Sequence, residues 1–383
     1  MMIRSNSILH GVMRMKRGTY QKKKVLLLGN YDEGMYRFRK ELICRLVNDG
    51  YDVCVATPAG EYGTKLEHLQ CQFKAIDFDR SGKKVTAEIG LLKTYFSFLK
   101  SRKFDVVLLF TIKPTLYAGF ACRLLNIPYI VNITGLSPAI TESKWLRKAC
   151  YFAYRRVLPF AKTVFFQNEE NMNLFRKENL IKNNEKLLPG SGINLEEFNY
   201  IPYSESNRLL LLYIGRITKV KGIDELLKAI RIIKRSHESV DFEILGKCDE
   251  EYKDVLQTMQ KEGLLFYRGA VDDVHPYLKM CQAVLLPSYG EGMSNVLLEA
   301  SASGRPVLAS DVAGCREIVQ DGVSGILFQS HSAEAIVEAI TKFICLSVKE
   351  REKMGIYARE YVAGKFSRQI VVENYIREIE IGG

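Results

Sequence analysis

Two carboxylates separated by seven residues, Glu291 and Glu299, stand where a predicted strand gives way to a predicted helix. The apolar run Ala283–Leu286 indicates a buried parallel strand, and the proline and glycines after it indicate a turn. A helix is predicted from about Ser294 toward Gly304, and the first N–H groups of such a helix hold anions and polar ligands. The spacing places Glu291 on the loop and Glu299 on the second helical turn. One carboxylate can therefore contact a sugar hydroxyl and the other a ribose.

Two cations follow an earlier strand in a comparable position. Arg216 follows the predicted strand Arg208–Ile214 after one glycine, and Lys221 stands shortly beyond it before Gly222. Two fixed cations at a strand end suit a diphosphate leaving group, because negative charge grows on that group as its bond to a sugar breaks. A solvated basic cluster is the alternative interpretation. Lys219, between the two cations, is expected to face solvent.

The segment Glu291–Ala300 resembles the E-x7-E motif of the retaining GT-B glycosyltransferases of family 4. The segment Leu211–Gly222 resembles the element with which that family binds the donor diphosphate, and its Arg and Lys match position for position. The resemblance implies catalytic roles for Glu291, Arg216 and Lys221. It also implies a donor-binding set that comprises Gly29, Gly34, Arg216, Lys221, Gly292, Met293, Ser294, Asn295 and Glu299.

The chain has 383 residues, which suits two domains of about 150–200 residues. Strands and helices alternate twice along it, beginning with a buried strand at Lys24–Gly29 and a helix over Tyr36–Asp49. The predicted fold class is α/β, with two Rossmann-like doubly wound domains that face a cleft, which is the GT-B architecture. The predicted order is a disordered basic tail (1–23), an acceptor-binding domain (24–193), a linker (194–207), a nucleotide-sugar-binding domain (208–365) and a closing helix that returns to the first domain (366–383).

Composition excludes several other classes of protein. Hydrophobic residues make up 47% of the chain, but no uninterrupted apolar run approaches the roughly 18 residues of a membrane span, so we expect a soluble chain. Nine scattered cysteines, with no C-x-x-C pair, indicate reduced thiols in the cytoplasm and no zinc site. The net charge of +11 comes without a base-reading motif, so we expect no nucleic-acid partner.

The loop Gly29–Gly34 superficially resembles two nucleotide-binding motifs. It has neither the Lys-Ser/Thr of a P-loop nor the spacing of a dinucleotide site, so neither ATP nor NAD is implied. By resemblance it is the first loop of the acceptor domain, which approaches the donor sugar and phosphate; an ordinary strand-to-helix turn is the alternative. Asp77 and Asp79 form a D-x-D without a companion ligand, so we predict no metal ion and no cofactor.

One segment departs from the broader family, because Thr134 stands where many members carry a histidine. The runs Thr111–Pro114 and Asn132–Leu136 resemble a subgroup that builds bacterial surface glycans on undecaprenyl diphosphate. That resemblance implies a polyprenyl-diphosphate-linked glycan as acceptor, contacted by Lys113, Thr134 and Gly135. For Lys113 a plain surface lysine is the alternative. No histidine general base is predicted.

The segment Lys144–Lys162 is amphipathic with helical periodicity. The basic face is predicted to comprise Lys144, Arg147, Lys148 and Arg155, with Trp145 and Phe152 at one margin. The opposite face is predicted to be apolar, comprising Leu146, Ala149, Ala153, Val157 and Phe160. A basic face beside aromatic residues is typical of a helix that lies on anionic lipid. The alternative is a solvated face of a packed helix. If the chain has no membrane span and this helix lies on anionic lipid, the protein is expected to be located peripherally on the inner face of the cytoplasmic membrane.

Together these patterns predict a retaining transferase that moves a hexose or N-acetylhexosamine from a nucleotide diphosphate, UDP by analogy with the subgroup, to a lipid-linked glycan. A GT-B sugar-nucleotide 2-epimerase or hydrolase is the alternative enzyme. A carbohydrate-binding module without catalysis is disfavoured, because the two acids and the two cations occur together.

Overall fold

The first half of the chain forms a parallel sheet between two layers of helices. The computed structural model describes residues 22–76, 85–135, 143–203 and 208–381. Seven strands of the sheet lie in these ranges: β1 (Lys24–Leu28), β2 (Asp52–Thr57), β3 (Gln72–Ala75), β4 (Val106–Phe110), β5 (Tyr129–Ile133), β6 (Thr163–Phe166) and β7 (Glu185–Leu187). Their order in the sheet is β3-β2-β1-β4-β5-β6-β7. Most of the predicted basic tail and the Asp77/Asp79 pair lie outside the described residues.

Helices of this half connect successive strands. They are α1 (Asp32–Asn48), α2 (Gly63–Glu67), α3 (Val85–Arg102), α4 (Gly119–Leu125), α5 (Lys144–Val157) and α6 (Glu169–Lys177). The first begins earlier than its predicted start at Tyr36. Its first residue is Asp32, whose carboxylate accepts hydrogen bonds from the backbone N–H groups of Glu33 at 2.9 Å and Tyr62 at 2.7 Å. An acid in the first turn also complements the helix dipole.

The continuous apolar runs are explained by burial on both faces of the sheet. Along β1, Leu26 and Leu28 belong to one core cluster, whereas Val25 and Leu27 belong to another on the opposite side. All four side chains are fully buried. A parallel strand covered on both faces has no solvent-facing positions, so its sequence does not alternate between apolar and polar residues.

The second half repeats this architecture with its own sheet. Its described strands are β8 (Leu209–Ile214), β9 (Val240–Leu245), β10 (Phe266–Gly269), β11 (Ala283–Leu286), β12 (Val307–Ser310) and β13 (Gly325–Phe328), in the order β10-β9-β8-β11-β12-β13. Its helices are α7 (Ile223–Ser236), α8 (Lys253–Lys261), α9 (His275–Met280), α10 (Asn295–Ala302), α11 (Ala333–Cys345), α12 (Val348–Lys365) and α13 (Arg368–Glu380). The prediction of two doubly wound α/β domains is confirmed.

The last helix, α13, packs on the first domain. Val371 and Tyr375 lie in the same core cluster as Val25 and Leu27 of β1. The N–H group of Ile193 donates to the carbonyl of Phe366 at 2.7 Å, so the chain leaves the first domain and returns to it at one point. The hydrogen bond between Ile193 and Phe366 therefore joins the start of the linker to the residues just before the closing helix.

Each sheet has a point at which the chain reverses its direction of winding. In the first sheet this point lies between β1 and β4, and in the second it lies between β8 and β11. Loops that leave two such neighbouring strands diverge to opposite faces of the sheet, and the crevice between them is where open α/β sheets bind ligands. The loops after β1, β4, β8 and β11 are therefore the elements that position a site.

Candidate active site

Glu291 lies on the loop after β11, at the carboxyl edge of the second sheet. Its Oε1 accepts a hydrogen bond from Ser288 Oγ at 2.7 Å and forms an ion pair with Lys221 Nζ. The Glu291 side chain is 14% exposed and that of Lys221 20%, so water screens the pair only weakly. The structure thus brings together two of the three residues predicted to be catalytic. Ser288 was not predicted from the sequence.

A tight turn holds Lys221 beside this loop. The 3₁₀ turn Lys219–Lys221 ends at Gly222, whose φ is 67°. A Cβ atom at Gly222 would lie 2.0 Å from the carbonyl oxygen of Pro287, so only glycine allows the turn to approach the β11 loop this closely. The N–H group of Tyr289 donates to the carbonyl of Val220 at 3.0 Å and joins the two loops.

Arg216 follows β8 at the same edge and is exposed. Burial raises the pKa of the Tyr213 hydroxyl, the negative charge of Glu291 raises it further, and the positive charge of Arg216 opposes that rise. Both charges therefore act on one hydroxyl group. Among the described residues the Arg216 guanidinium has no ion pair or side-chain hydrogen bond, so it is available to a ligand. Lys219 is exposed, as predicted.

The amino terminus of α10 faces the same space. Ser294 caps the helix by accepting a hydrogen bond from the N–H group of Leu297 at 3.3 Å, and its own N–H group donates to the carbonyl of Gly314 at 2.9 Å. Met293 and Asn295, on either side of this cap, line a pocket between the domains. The first turn of a helix carries the positive end of the helix dipole and N–H groups that lack an intrahelical partner, which suits an anionic ligand.

Glu299 lies one turn further along α10, on the same helix face as Asn295. Burial raises the pKa of Glu299 from its ordinary value of 4.5 to about 7, while the positive charges of Arg37 and Arg368 oppose that rise. Both arginines belong to helices that pack on the first domain. Glu299 therefore lies at the junction of the two domains and outside the residues that line the pocket.

The raised pKa of Glu299 predicts how its replacement changes stability with pH. Between about pH 4.5 and pH 7 the folded protein binds more protons at this site than the unfolded chain, so the Glu299 contribution to stability falls as pH rises through that window. We expect Glu299→Gln to raise the melting temperature relative to wild type by more at about pH 8 than at about pH 5. Thermal melts of both proteins at the two pH values test this, and an equal difference at both would contradict it.

The first domain contributes the loop between β1 and α1. Gly29, Asn30, Tyr31 and Gly34 line the pocket, so two predicted donor-binding glycines lie opposite the Glu291 loop. The amide oxygen of Asn30 is buried without a hydrogen-bond partner among the described residues. Buried polar atoms are normally paired, so this oxygen is a candidate acceptor for a substrate hydroxyl.

The two domains touch at Gly292. A Cβ atom at this position would lie 1.7 Å from the carbonyl oxygen of Thr134, on the loop after β5. Asn168 Nδ2 donates to the carbonyl of Gly292 at 2.6 Å from the loop after β6. Thr134 and Gly135, predicted to bind the acceptor, are thus placed directly against the predicted donor loop. Asn168 was missed, although its place directly after a predicted strand was a usable signal.

A cavity of about 170 Å³ lies between these loops. The first domain supplies the residues after β1, β4, β5 and β6, and the second supplies the β11 loop and the start of α10. Its polar lining includes Asn30, Thr111, Thr134, Gln167, Glu291 and Asn295. The volume suits one small polar group, such as part of a sugar, held between the domains.

Lys113, predicted to contact the acceptor diphosphate, is part of an ion pair. Its Nζ lies 2.7 Å from Glu88 Oε1, and both side chains are 22% exposed. Glu88 also raises the pKa of Tyr117 by a hydrogen bond, although burial is the larger cause. Lys113 is therefore a structural link between α3 and the loop after β4 in this conformation.

No group of three or more His, Cys, Asp or Glu side chains in the described ranges is arranged to hold a metal ion. Asp77 and Asp79, the D-x-D pair, fall outside those ranges. Nine cysteines are described, and all are free thiols.

The helix α5 carries the predicted basic surface. Its buried side is formed by Tyr151, Tyr154 and Val157. Two members of the predicted apolar face, Ala149 and Phe160, are exposed, so that part of the prediction was wrong. The α-helical periodicity ends at Val157, and the 3₁₀ turn that follows directs Phe160 outward, where it is 50% exposed.

Aromatic side chains lie exposed among the cations of α5. Trp145 is 78% exposed and Phe152 is 59% exposed, and the guanidinium of Arg156 lies 4.7 Å from the Phe152 ring centroid. The four cations predicted for this surface are also exposed: Lys144, Arg147, Lys148 and Arg155. In the described parts of the chain, none of the helices is long and apolar enough to cross a bilayer.

Comparison with known proteins agrees with this geometry. Residues 33–189 match the family model "Glycosyl transferase 4-like domain" and residues 198–361 match "Glycosyl transferases group 1". The two matches cover the two structural domains in turn and include all the residues that line the cavity except the first three of the β1 loop and Ser191, which lies between the matches.

Two curated relatives span most of the chain. A Campylobacter jejuni N,N'-diacetylbacillosaminyl-diphospho-undecaprenol alpha-1,3-N-acetylgalactosaminyltransferase is 25% identical over 378 residues, covering 92% of this chain and 97% of the relative. The capsular polysaccharide biosynthesis glycosyltransferase CapM of Staphylococcus aureus is 27% identical over 306 residues, covering 74% of this chain and 78% of CapM.

Solved structures share the fold at low sequence identity. HepE of Anabaena, in complex with UDP and glucose, superposes with a TM-score of 0.75 at 17% identity, over 93% of this chain and 98% of HepE. Sucrose-phosphate synthase from Thermosynechococcus elongatus superposes with a TM-score of 0.76 at 16% identity, over 93% and 98% of the two chains. The two family matches show that the chain is a glycosyltransferase in which a glycosyl transferase 4-like domain precedes a group 1 domain, and these superpositions show that it has the GT-B fold.

Proposed function

We propose that this protein is a retaining glycosyltransferase that moves a hexose or N-acetylhexosamine from UDP to a lipid-linked glycan during the assembly of bacterial polysaccharides or glycoprotein glycans. The observation that carries the proposal is the Glu291–Lys221 pair beside Arg216, whose guanidinium has no ion pair within the described part of the chain, at the edge of the sheet that faces the first domain. The undecaprenol-linked substrate of the Campylobacter relative and the UDP bound to HepE support the choice of acceptor and donor.

In the proposed reaction, the acceptor hydroxyl oxygen bonds to the anomeric carbon while the bond from that carbon to the diphosphate oxygen breaks. The hydroxyl proton passes to the departing diphosphate, so no histidine base is required. Arg216 and Lys221 neutralise the charge that grows on the diphosphate. Glu291, oriented by Lys221 and Ser288, accepts a hydrogen bond from a hydroxyl of the donor sugar.

The remaining predicted residues receive binding roles in this proposal. The segment Met293–Asn295 at the amino terminus of α10 binds donor phosphate through groups other than the Ser294 N–H, which the carbonyl of Gly314 already holds, and Glu299 contacts the ribose. Thr134 and Gly135 contact the acceptor at the inter-domain contact. For Lys113 an acceptor role requires that its ion pair with Glu88 open when the acceptor binds.

The experiment that tests the proposal measures the release of UDP and of GDP from their sugar nucleotides, with and without a membrane lipid extract. We expect UDP release that depends on the lipid extract and a radiolabelled sugar that moves into the lipid fraction. Release that is independent of lipid would favour a hydrolase. Interconversion of the sugar without transfer would favour a 2-epimerase.

The proposed transfer needs no metal ion, because Arg216 and Lys221 supply the charge that neutralises the diphosphate. We expect activity to survive incubation with EDTA. The measurement is the transfer rate before and after chelation and after addition of Mn²⁺ or Mg²⁺. A complete loss that Mn²⁺ or Mg²⁺ restores would contradict metal independence and direct attention to Asp77 and Asp79.

We further propose that the protein lies peripherally on the inner face of the cytoplasmic membrane, with α5 against anionic lipid. Exposed Trp145 and Phe152 beside exposed cations support this orientation, because interfacial helices combine these side chains. Each cation near an anionic surface contributes about 1 kcal/mol. The acceptor of the proposed reaction is anchored in the same membrane.

Charge reversal on α5 tests the membrane proposal. Arg155 is unsuitable because it donates to the carbonyl of Glu178 at 2.9 Å, so the variant is Lys144→Glu with Lys148→Glu. We expect weaker co-sedimentation with anionic vesicles and less transfer to the lipid-linked acceptor, with unchanged UDP binding. A matched control reverses Lys349 and Lys353, exposed cations on α12 of the second domain. Equal co-sedimentation of wild type and both variants would contradict the docking role of α5.

A further inference from the structure

A buried arginine in the first domain stands at a position where the helix pattern calls for an apolar residue. Arg39 is 5% exposed and lies on the buried stripe of α1, between Met35 and Leu42. These residues are separated by four and three positions, so they share one helix face. A charge on such a stripe is costly unless it has partners.

The partners of Arg39 within the described chain do not neutralise its charge. Its guanidinium carbon lies 4.6 Å from the ring centroid of Phe110 and 5.9 Å from that of Tyr375. One nitrogen, Nη1, donates to the carbonyl of Phe38 at 3.2 Å. No carboxylate of a described residue forms an ion pair with it. A guanidinium carries five N–H donors, so most of its hydrogen-bonding capacity is unused.

The neighbouring charges increase this excess of positive charge. Glu41, two positions along α1, is paired with Arg368 at 2.7 Å, so it is not available to Arg39. Across the cavity, Glu291 is paired with Lys221. These two acids are thus already paired, and the positive charge of Arg39 favours a negatively charged ligand.

Arg39 lines the cavity between the domains, and a second feature of the same wall points to a ligand. Asn30 presents a buried amide oxygen without a partner among the described residues. Thr111, after β4, has a φ of 73°, a conformation that costs energy for a β-branched residue and occurs mainly at functional sites. Arg39, Asn30 and Thr111 thus line the first-domain side of the cavity.

We propose that Arg39 binds phosphate oxygens of a substrate from the first-domain side of the cleft, which rests on the function proposed above. A guanidinium stacked on an aromatic ring presents its N–H fork in a fixed plane, the geometry that suits bidentate contact with phosphate. Arg216 and Lys221 approach from the second domain. Phosphate held from both sides would then link binding of the substrate to closure of the cleft.

The phosphate has two possible sources, the donor diphosphate and the diphosphate of the acceptor, and Arg39→Gln separates them. The first arm measures binding of UDP and of uridine by calorimetry without acceptor. The second arm compares KM for the diphosphate-linked acceptor with KM for the same glycan on a neutral alkyl chain. A loss of UDP affinity of at least tenfold with unchanged uridine affinity assigns the donor. A rise in KM confined to the diphosphate-linked acceptor assigns the acceptor.

Controls separate this role from a structural one. Arg45→Gln changes a half-buried arginine of the same helix, paired with Asp49 and Glu373, and we expect it to leave both arms unchanged. Should Arg39→Gln fail to fold, Arg39→Lys keeps the charge without the fork, and we expect a partial loss in the same arm. The inference would be overturned if Arg39→Gln only lowered the melting temperature and left both the UDP affinity and the KM for the diphosphate-linked acceptor unchanged. The proposed function is judged separately, since it fails if wild type binds no nucleoside diphosphate.

Discussion

Replacing Glu291 with glutamine is expected to lower kcat by a factor of about 10²–10³ while the protein stays folded. Glutamine keeps the shape of the side chain and can still accept the hydrogen bond from Ser288, but it loses the charge that pairs with Lys221. Charge-assisted contacts made mainly in the transition state are typically worth about 2–4 kcal/mol, which corresponds to this loss. The measurement is single-turnover transfer from a radiolabelled donor.

Two comparisons make the Glu291 result specific. Glu299→Gln should weaken donor binding more than it lowers kcat, because a ribose contact is shared by the ground state and the transition state. Lys219→Ala, at an exposed cation two residues before Lys221, should leave both quantities unchanged. A kcat for Glu291→Gln within a few-fold of wild type would remove Glu291 from the mechanism.

Replacing Gly292 with alanine is expected to abolish most transfer activity while the donor still binds. The added Cβ atom would lie 1.7 Å from the carbonyl oxygen of Thr134, and contacts below 3.0 Å force something to shift. The partner is backbone, so relief requires that the loop or the whole domain move. We expect the two domains to separate at this point, which removes the first domain from the donor site. Activity and UDP affinity, measured side by side, test this expectation.

Gly290 offers a matched control for Gly292 on the same loop. A Cβ atom at Gly290 meets nothing within 4 Å, and its φ lies outside the left-handed region. We therefore expect Gly290→Ala to retain near-wild-type transfer and UDP binding. Equal activity of the Gly290 and Gly292 variants would show that the contact between Gly292 and Thr134 is not required for transfer.

The strands were the most predictable part of the fold. A parallel strand buried on both faces leaves an unbroken apolar run, as in β1 and β11, and such runs are visible without any tertiary information. The boundaries were less predictable where a side chain contacts a distant residue. The helix α1 begins at Asp32, whose carboxylate accepts a hydrogen bond from the backbone N–H group of Tyr62, and no local pattern shows this contact.

The site was predictable to the extent that its residues follow strands. Arg216 and Glu291 come after β8 and β11, and parallel strands bring their carboxyl ends to one edge, so their proximity follows from the topology. Asn168 and Ser288 stand in equivalent places after β6 and β11, but a single amide or hydroxyl after a strand is common and does not by itself mark a site. Lys113 also follows a strand, but its ion pair with Glu88 was not predictable, because it depends on how α3 packs.

The sequence by itself determined which segments become strands and which charged residues stand at their ends, because burial and turn chemistry act over a few neighbouring residues. Only the tertiary structure decided that Gly292 meets Thr134 and that Arg39 faces the cavity without a carboxylate partner among the described residues. Such contacts join segments far apart in the chain, and their geometry depends on the packing of whole domains. Local periodicity assigns Arg39 to a helix, but only the packed domain shows that its charge lies against an aromatic ring and lines the cleft.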